Sequence, residues 1–248
     1  MVKHHCMQLP VNILGKTMSP DQTDTLITYR FTFADGQSVE HGVALEDDAG
    51  LPEAAAWTRL DFQQCPHCPL SANEVQLCPF AAALQQPVSM LATHSSFEPV
   101  DVRVRWRDRE IHQHTTLQRA AGSLLGAIGA ASGCPHTRLL KAMAWFHQPF
   151  SGSDETLFRV LGSYLLGQYL RTQHGLAADW DLAGLREVYR NLRQVNLGMA
   201  QRLRSAAERD SSVNGLVLLD LLAADTLYSL DKYHGELDRF FAEYLQAP

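Results

Sequence analysis

The sequence has no excess of basic charge, no long apolar run and no cysteine-dense framework, and each absence removes a class of protein. Its 21 lysines and arginines are outnumbered by 27 acidic residues, for a formal net charge of −6. That balance opposes nucleic-acid binding through a broad basic surface. No stretch reaches the roughly eighteen consecutive apolar residues of a membrane-spanning helix. The nearest approach, 117–132, is too short and contains Arg119. Residues 1–6 lead into a polar stretch without the apolar core of a secretory signal. Five cysteines in 248 residues do not make a disulfide mini-protein, and a chain of this length buries an adequate core without them. These features predict a soluble, cytoplasmic protein with no nucleic-acid or membrane partner.

Catalytic signatures are also missing. There is no Gly-rich phosphate loop, no HExxH, no GxSxG and no dinucleotide fingerprint. No nucleophile, base and orienting group can be assigned as a triad, so no reaction can be read from the residues.

The first half carries period-two patterns. Tyr29, Phe31 and Phe33 share one face, Ala34-Asp35-Gly36 supplies a turn, and Val39, His41, Val43 and Leu45 continue the alternation, which predicts a hairpin. A second hairpin is predicted from Val100, Val102, Val104 and Trp106, returning over 111–116. The intervening stripe of Arg103, Arg105, Arg107 and Arg109 reads as a solvated strand face rather than a phosphate site. A helix is predicted near 79–85, interrupted or restarted by Pro87 because proline lacks the amide donor.

Beyond residue 116 the period becomes helical. Helices are predicted over 117–132, 135–146, 154–172, 182–207, 213–230 and 236–246, with Ser153, Asp181 and Ser212 as N-caps and Gly133 and Gly175 at C-terminal positions. Gly122, Gly126 and Gly129 within 117–132 suggest a close helix–helix crossing. The fold class is therefore α+β: a small antiparallel sheet in an N-terminal section, 1–116, packed with a larger all-helical section, 117–248, the two free to share one core.

Four of the five cysteines, Cys65, Cys68, Cys78 and Cys134, are each followed by proline. A CxxC pair lets two thiolates converge on one ion, and Cys78 and Cys134 would each sit at a helix start, which favours thiolates. The expectation is a four-cysteine metal site joining the two sections. Structural zinc is the first choice and an iron–sulfur cluster, with a redox or enzymatic role, the alternative. A redox dithiol at Cys65 and Cys68, or cysteines that merely fill a metal-free core, remain as other readings. His67 and His136 are candidate substitute ligands or outer-layer donors, and His4, His5 and Cys6 candidate adventitious binders. The site would support interaction with an unknown protein or small molecule.

Other candidates have blander readings. His147 is expected to cap a helix end, and His112 and His114 to share an ordinary strand face. Asp220 and Asp225 interrupt an apolar helix and call for partners, for which Arg159 is available; Asn191, Asn196 and Asn214 could extend such a network. Cys-Pro-His-Cys-Pro-Leu at 65–70, Ser-Gly-Cys-Pro-His at 132–136 and Phe-His-Gln-Pro-Phe at 146–150 resemble an uncharacterised bacterial protein family. That resemblance implies a bacterial, cytoplasmic protein and transfers no activity or residue role.

Overall fold

The alternating strands close into one sheet. In the computed structural model the described residues are 24–46, 54–205 and 211–246; His4, His5 and Cys6 lie outside them. Strands β1 (Leu26–Phe33), β2 (Ser38–Ala44), β3 (Pro99–Trp106) and β4 (Arg109–Thr116) form an antiparallel sheet in the order β2-β1-β3-β4. Both predicted hairpins are present, and β1 and β3 join them with Tyr29 opposite Val104 and Phe33 opposite Val100. Ile27, Tyr29, Phe31, Phe33, Val100, Val102, Val104 and Trp106 are buried on one face. Arg103 and Arg105 stand on the other, each 3.8 Å from Glu110.

The helices are α1 (Pro79–Leu91), α2 (Leu117–Ala131), α3 (Lys141–Trp145), α4 (Ser153–Gln173), α5 (Ala183–Arg204), α6 (Ser211–Asp231) and α7 (Ala242–Gln246). The chain is thus α+β, a small antiparallel sheet with a larger helical C-terminal region. One buried cluster takes in Phe31, Val102, Phe80, Leu84, Leu124, Met199 and Leu216, so sheet, α1, α2, α5 and α6 share it. Each such fully buried aliphatic or aromatic side chain contributes about 1.5–3 kcal/mol. A smaller cluster around Val160, Leu185, Tyr189 and Leu230 joins α4, α5 and α6.

Several boundaries differ from the sequence expectation. Helix α1 runs through Pro87 without a break, because its apolar face of Phe80, Leu84, Val88 and Leu91 is buried and outweighs the roughly 3 kcal/mol cost of the missing donor. The predicted helix over 135–146 is a 3-10 turn, Arg138–Leu140, followed by the short α3; 236–246 divides in the same way. None of the three expected N-caps holds. Gly152 precedes α4, its amide bonded to the Glu155 carboxylate at 2.9 Å. Asp179 accepts from the amides of Ala183 and Gly184 at the start of α5, and Ser212 lies inside α6. Gly133 and Gly175 do follow helices with φ of +78° and +67°.

Helix α6 contains a 20-residue segment, Ser212–Asp231, with mean hydropathy 1.4, long and apolar enough by length and composition to cross a membrane. No membrane is needed to seat it in the fold, where it lies along α2 and α5. Its crossing with α2 explains Gly122 and Gly126, whereas Gly129 makes room for the Phe80 ring of α1, which a Cβ there would meet at 2.9 Å. A Cβ on Gly215 would stand 3.0 Å from the Gly122 amide nitrogen and 3.1 Å from Leu125, and one on Gly122 would stand 3.3 Å from the Gly215 carbonyl oxygen. Backbone faces backbone here, so neither side can yield cheaply. Gly215→Ala is expected to cost about 1–3 kcal/mol by overpacking. Gly167→Ala, where a Cβ meets nothing within 4 Å, should instead gain about 0.5–1 kcal/mol of helix propensity. Thermal unfolding of the two variants side by side checks the sign of each; equal effects would mean the crossing is looser than described.

Candidate functional site

Cys65, Cys68, Cys78 and Cys134 all line one small cavity of about 20 Å³, shared with Leu60, Phe80, Val195, Met199 and Arg202. The expected zinc or iron–sulfur centre is nevertheless overturned. Among the described residues, no group of three or more His, Cys, Asp or Glu side chains is placed to hold a metal ion. The four cysteines are free thiols. Burial pushes the Cys65 thiol up to about 11, with the neighbouring Cys78 and Cys68 adding to the rise, and burial also raises Cys134.

The cysteine-proline pairs have local causes instead. Pro79 occupies the first turn of α1 directly after Cys78, where its missing amide costs nothing. The Cys65–Cys68 segment is a turn closed by the Cys68 amide on the Cys65 carbonyl at 3.0 Å. Cys134 follows Gly133 at the end of α2, and its carbonyl accepts from Thr137 at 3.0 Å. Cys78 and Cys134 belong to the apolar core, with Cys68 packed against it.

His67 and His136 stack with ring centroids 4.1 Å apart. Nε2 of His136 lies 2.9 Å from the His67 carbonyl, and Nε2 of His67 lies 3.3 Å from the Asn191 carbonyl. Both histidines therefore tie the cysteine turn to the segment after α2 and to α5. A Cβ on Gly198 of α5 would stand 3.1 Å from the Cys65 sulfur, so the two sections meet here by packing.

A second site lies at the β4 end of the sheet. A pocket of about 340 Å³ is lined by Ile27, Val104, Trp106, Arg109, Ile111 and residues 146–149. This size falls within the range of small-molecule sites. It forms because α2 covers only part of the sheet's inner face, and the chain after α3 crosses the remainder. Helix α3 is short, and Arg159 of α4 holds its end, donating to the carbonyls of Met143 at 2.9 Å and of Phe146 and Gln148 at 3.4 Å. Arg159 thus positions the pocket's rim.

Behind the lining residue His147, the Tyr29 hydroxyl meets Ser123 Oγ at 2.8 Å and His147 Nε2 at 2.5 Å, while the Phe150 amide donates to Ser123 Oγ at 3.2 Å. Phe150 takes the left-handed conformation, φ 61°. Burial, with the Arg159 cation adding to it, pushes His147 down to about 3; burial pushes Tyr29 well above its ordinary range. Both groups are neutral near pH 7. They form a fixed donor–acceptor node, since an imidazole this weakly basic is poorly suited to general-base work.

At the mouth, the Arg109 guanidinium lies 5.6 Å from the Trp106 ring centroid, with that of Arg107 at 4.5 Å. Among the described residues Arg103, Arg105 and Arg107 have acidic neighbours within 4 Å; no ion pair engages Arg109. Phe146 on the opposite wall is 74% exposed.

The remaining expectations resolve as follows. His147 does not cap the end of α3; Arg159 does, and His147 turns inward to Tyr29. Asp220 pairs with Arg193 at 3.2 Å rather than with Arg159, while Asp225 is exposed. His112 and His114 both face Asp101, at 3.3 and 3.2 Å, on the open side of the sheet. Asn191 donates to Glu187, and Asn196 is buried. Sequence reasoning missed Ser123 and the partnering of Tyr29. The available signal was a tyrosine among phenylalanines on a buried strand face, since a buried phenol needs a partner.

No curated protein and no solved structure matches the chain. Residues 27–242, which span both hairpins, the pocket and six of the helices in full, match the model of a family described as a domain of unknown function, DUF6901. The chain belongs to that family.

Proposed function

We propose that the protein binds a small organic anion in the pocket between β4 and residues 146–149, with an aromatic or acyl body on Trp106, Ile111 and Phe146 and a carboxylate at Arg109. The observation that carries this reading is the pairing at the mouth. An arginine without an ion pair among the described residues stands beside a tryptophan on a pocket whose other walls are Ile27, Val104, Ile111, Phe146 and Pro149, with His147 and Gln148 as its further polar side chains. A guanidinium supplies paired donors suited to a carboxylate. The neutral His147 leaves one ring nitrogen beyond its Tyr29 bond to meet a polar ligand atom. Four free thiols among the described cysteines support placement in a reducing compartment such as the cytoplasm.

The test uses 1-naphthoate and the uncharged 1-naphthalenemethanol, followed by saturation-transfer NMR and calorimetry. Naphthoate should bind the native protein saturably, and Arg109→Ala should weaken it about tenfold, the loss of about 1.4 kcal/mol. The alcohol should bind weakly and equally to both proteins. No saturation by about 1 mM naphthoate, or equal naphthoate affinity in the variant, would sink the reading.

A further inference from the structure

Helix α4 has two apolar faces and the fold uses one. It buries Thr156, Leu157, Val160 and Gln168. On the opposite side Phe158, Leu165, Leu166, Tyr169 and Leu170 are 53%, 37%, 58%, 51% and 49% exposed. With Gly162 between them, these fall at i, i+4, i+7, i+8, i+11 and i+12, one stripe along three turns. The stripe continues onto the C-terminal segment, where the Phe158 ring meets Phe241 at 6.1 Å and Phe241 meets Tyr244 at 6.2 Å. Tyr244 is 83% exposed.

We propose that this stripe is the interface of a homodimer, formed by antiparallel pairing of α4 with the α4 of a second copy. Three properties favour a second copy as the occupant. Four of the six stripe positions are self-complementary about residue 164: reversing the helix places Phe158 of one copy against Leu170 of the other, and Leu166 over Gly162, with Leu165 and Tyr169 flanking those pairs. Gly162 offers the recess such a leucine needs, since a Cβ there would meet nothing within 4 Å. The apolar stripe itself carries no charged side chain between 158 and 170, so a second copy brings no like charge onto it. The exposed side-chain area is on the order of 500 Å² on α4 and about 700 Å² with Phe241 and Tyr244 included, approaching the ~800 Å² that each partner gives to a standard interface. An isologous twofold contact is also the commonest form of protein self-association.

Sedimentation velocity on the full chain tests this directly. At about 50 μM, where a standard-size interface of even micromolar affinity is mostly formed, the native protein should sediment at twice the 27.6 kDa chain mass. Leu166→Glu should give the monomer with unchanged far-UV circular dichroism, because Leu166 is already exposed in the single chain. Gly162→Phe, which fills the recess from the other side, should raise the dimer Kd about a hundredfold. Phe97→Glu, an exposed residue on the loop entering β3, should leave the dimer intact. A monomeric native protein overturns the proposal, as does a dimer that survives both α4 variants; capture of a different protein by a monomeric chain would do the same.

Discussion

Replacing Arg202 with alanine is expected to cost about 3–5 kcal/mol, the sum of orphaned buried carbonyls and the cavity left behind. Arg202 is 1% exposed. It donates to the carbonyls of Trp57 at 2.7 Å, Arg59 at 2.6 Å and Gln63 at 3.4 Å, and its guanidinium lies 5.7 Å from the Phe62 ring centroid. One side chain of α5 thereby fixes the whole 57–63 segment, including Gln63, whose φ of 47° is a strained conformation that needs external support. Burial lowers the Arg202 pKa from its ordinary value, with Cys78, Cys65, Cys68 and Asp61 acting in the opposite direction. Arg202→Lys should recover only part of the loss, because one ammonium cannot serve three carbonyls in the geometry of a planar fork. Urea unfolding of the two variants measures this. A loss below about 1 kcal/mol for alanine would mean that water replaces the guanidinium at those carbonyls.

Acid sensitivity is the second large effect. His147 is pushed down to about 3, and His41, 6% exposed on β2 with Nδ1 unpartnered among the described residues, to about 4, both by burial. In the unfolded chain each returns to about 6.5. Between these values the unfolded state binds more protons, so stability is complete above about pH 6.5 and falls as the pH drops towards 3–4. The slope is about 1.4 kcal/mol per pH unit for each histidine. By pH 4.5 the two together remove on the order of 5 kcal/mol. His41→Leu should halve the slope over this window, since the apolar face it occupies has no use for an imidazole. Urea midpoints from pH 7 to pH 4.5 check this. A flat profile in the native protein would mean that both rings are solvated.

What could be read from the residues was mostly about faces. Tyr29, Phe31 and Phe33 against Val100, Val102, Val104 and Trp106 defined two buried strand faces and hence the α+β class. Alternation says nothing of which strands are neighbours, so the β1–β3 pairing that unites the hairpins was not legible. Gly122 and Gly126 announce the close crossing, Gly129 marks the seat of Phe80 instead, and Gly215, the other half of the crossing, has nothing to distinguish it within an apolar helix. The cysteines show the opposite failure. Four cysteine–proline pairs read as a metal centre, when proline in the first turn of α1 and in the turns at Cys65–Cys68 and after Gly133 accounts for the pattern and no metal-holding group is present among the described residues. The node of Tyr29, Ser123 and His147 was out of reach because its members lie 94 and 118 positions apart, and each is unremarked in its own segment. Arg202 sat among several arginines of α5, and only the three-dimensional packing separates a buried one from its exposed neighbours.

The central position of β1 beside β3 also governs how the chain reaches its native state. The two hairpins are local and close quickly, whereas joining them requires ends on the order of seventy residues apart to meet, with the cysteine turn and α1 still unplaced. Until that closure, each hairpin presents its aromatic face and an unpaired edge to solvent, the condition under which nascent sheets associate wrongly. Helix α2, which begins at Leu117 immediately after β4, is the element best placed to cover the second hairpin during that interval. The folding rate should therefore respond more to changes on the Leu117–Leu125 face than to changes at the cysteine turn.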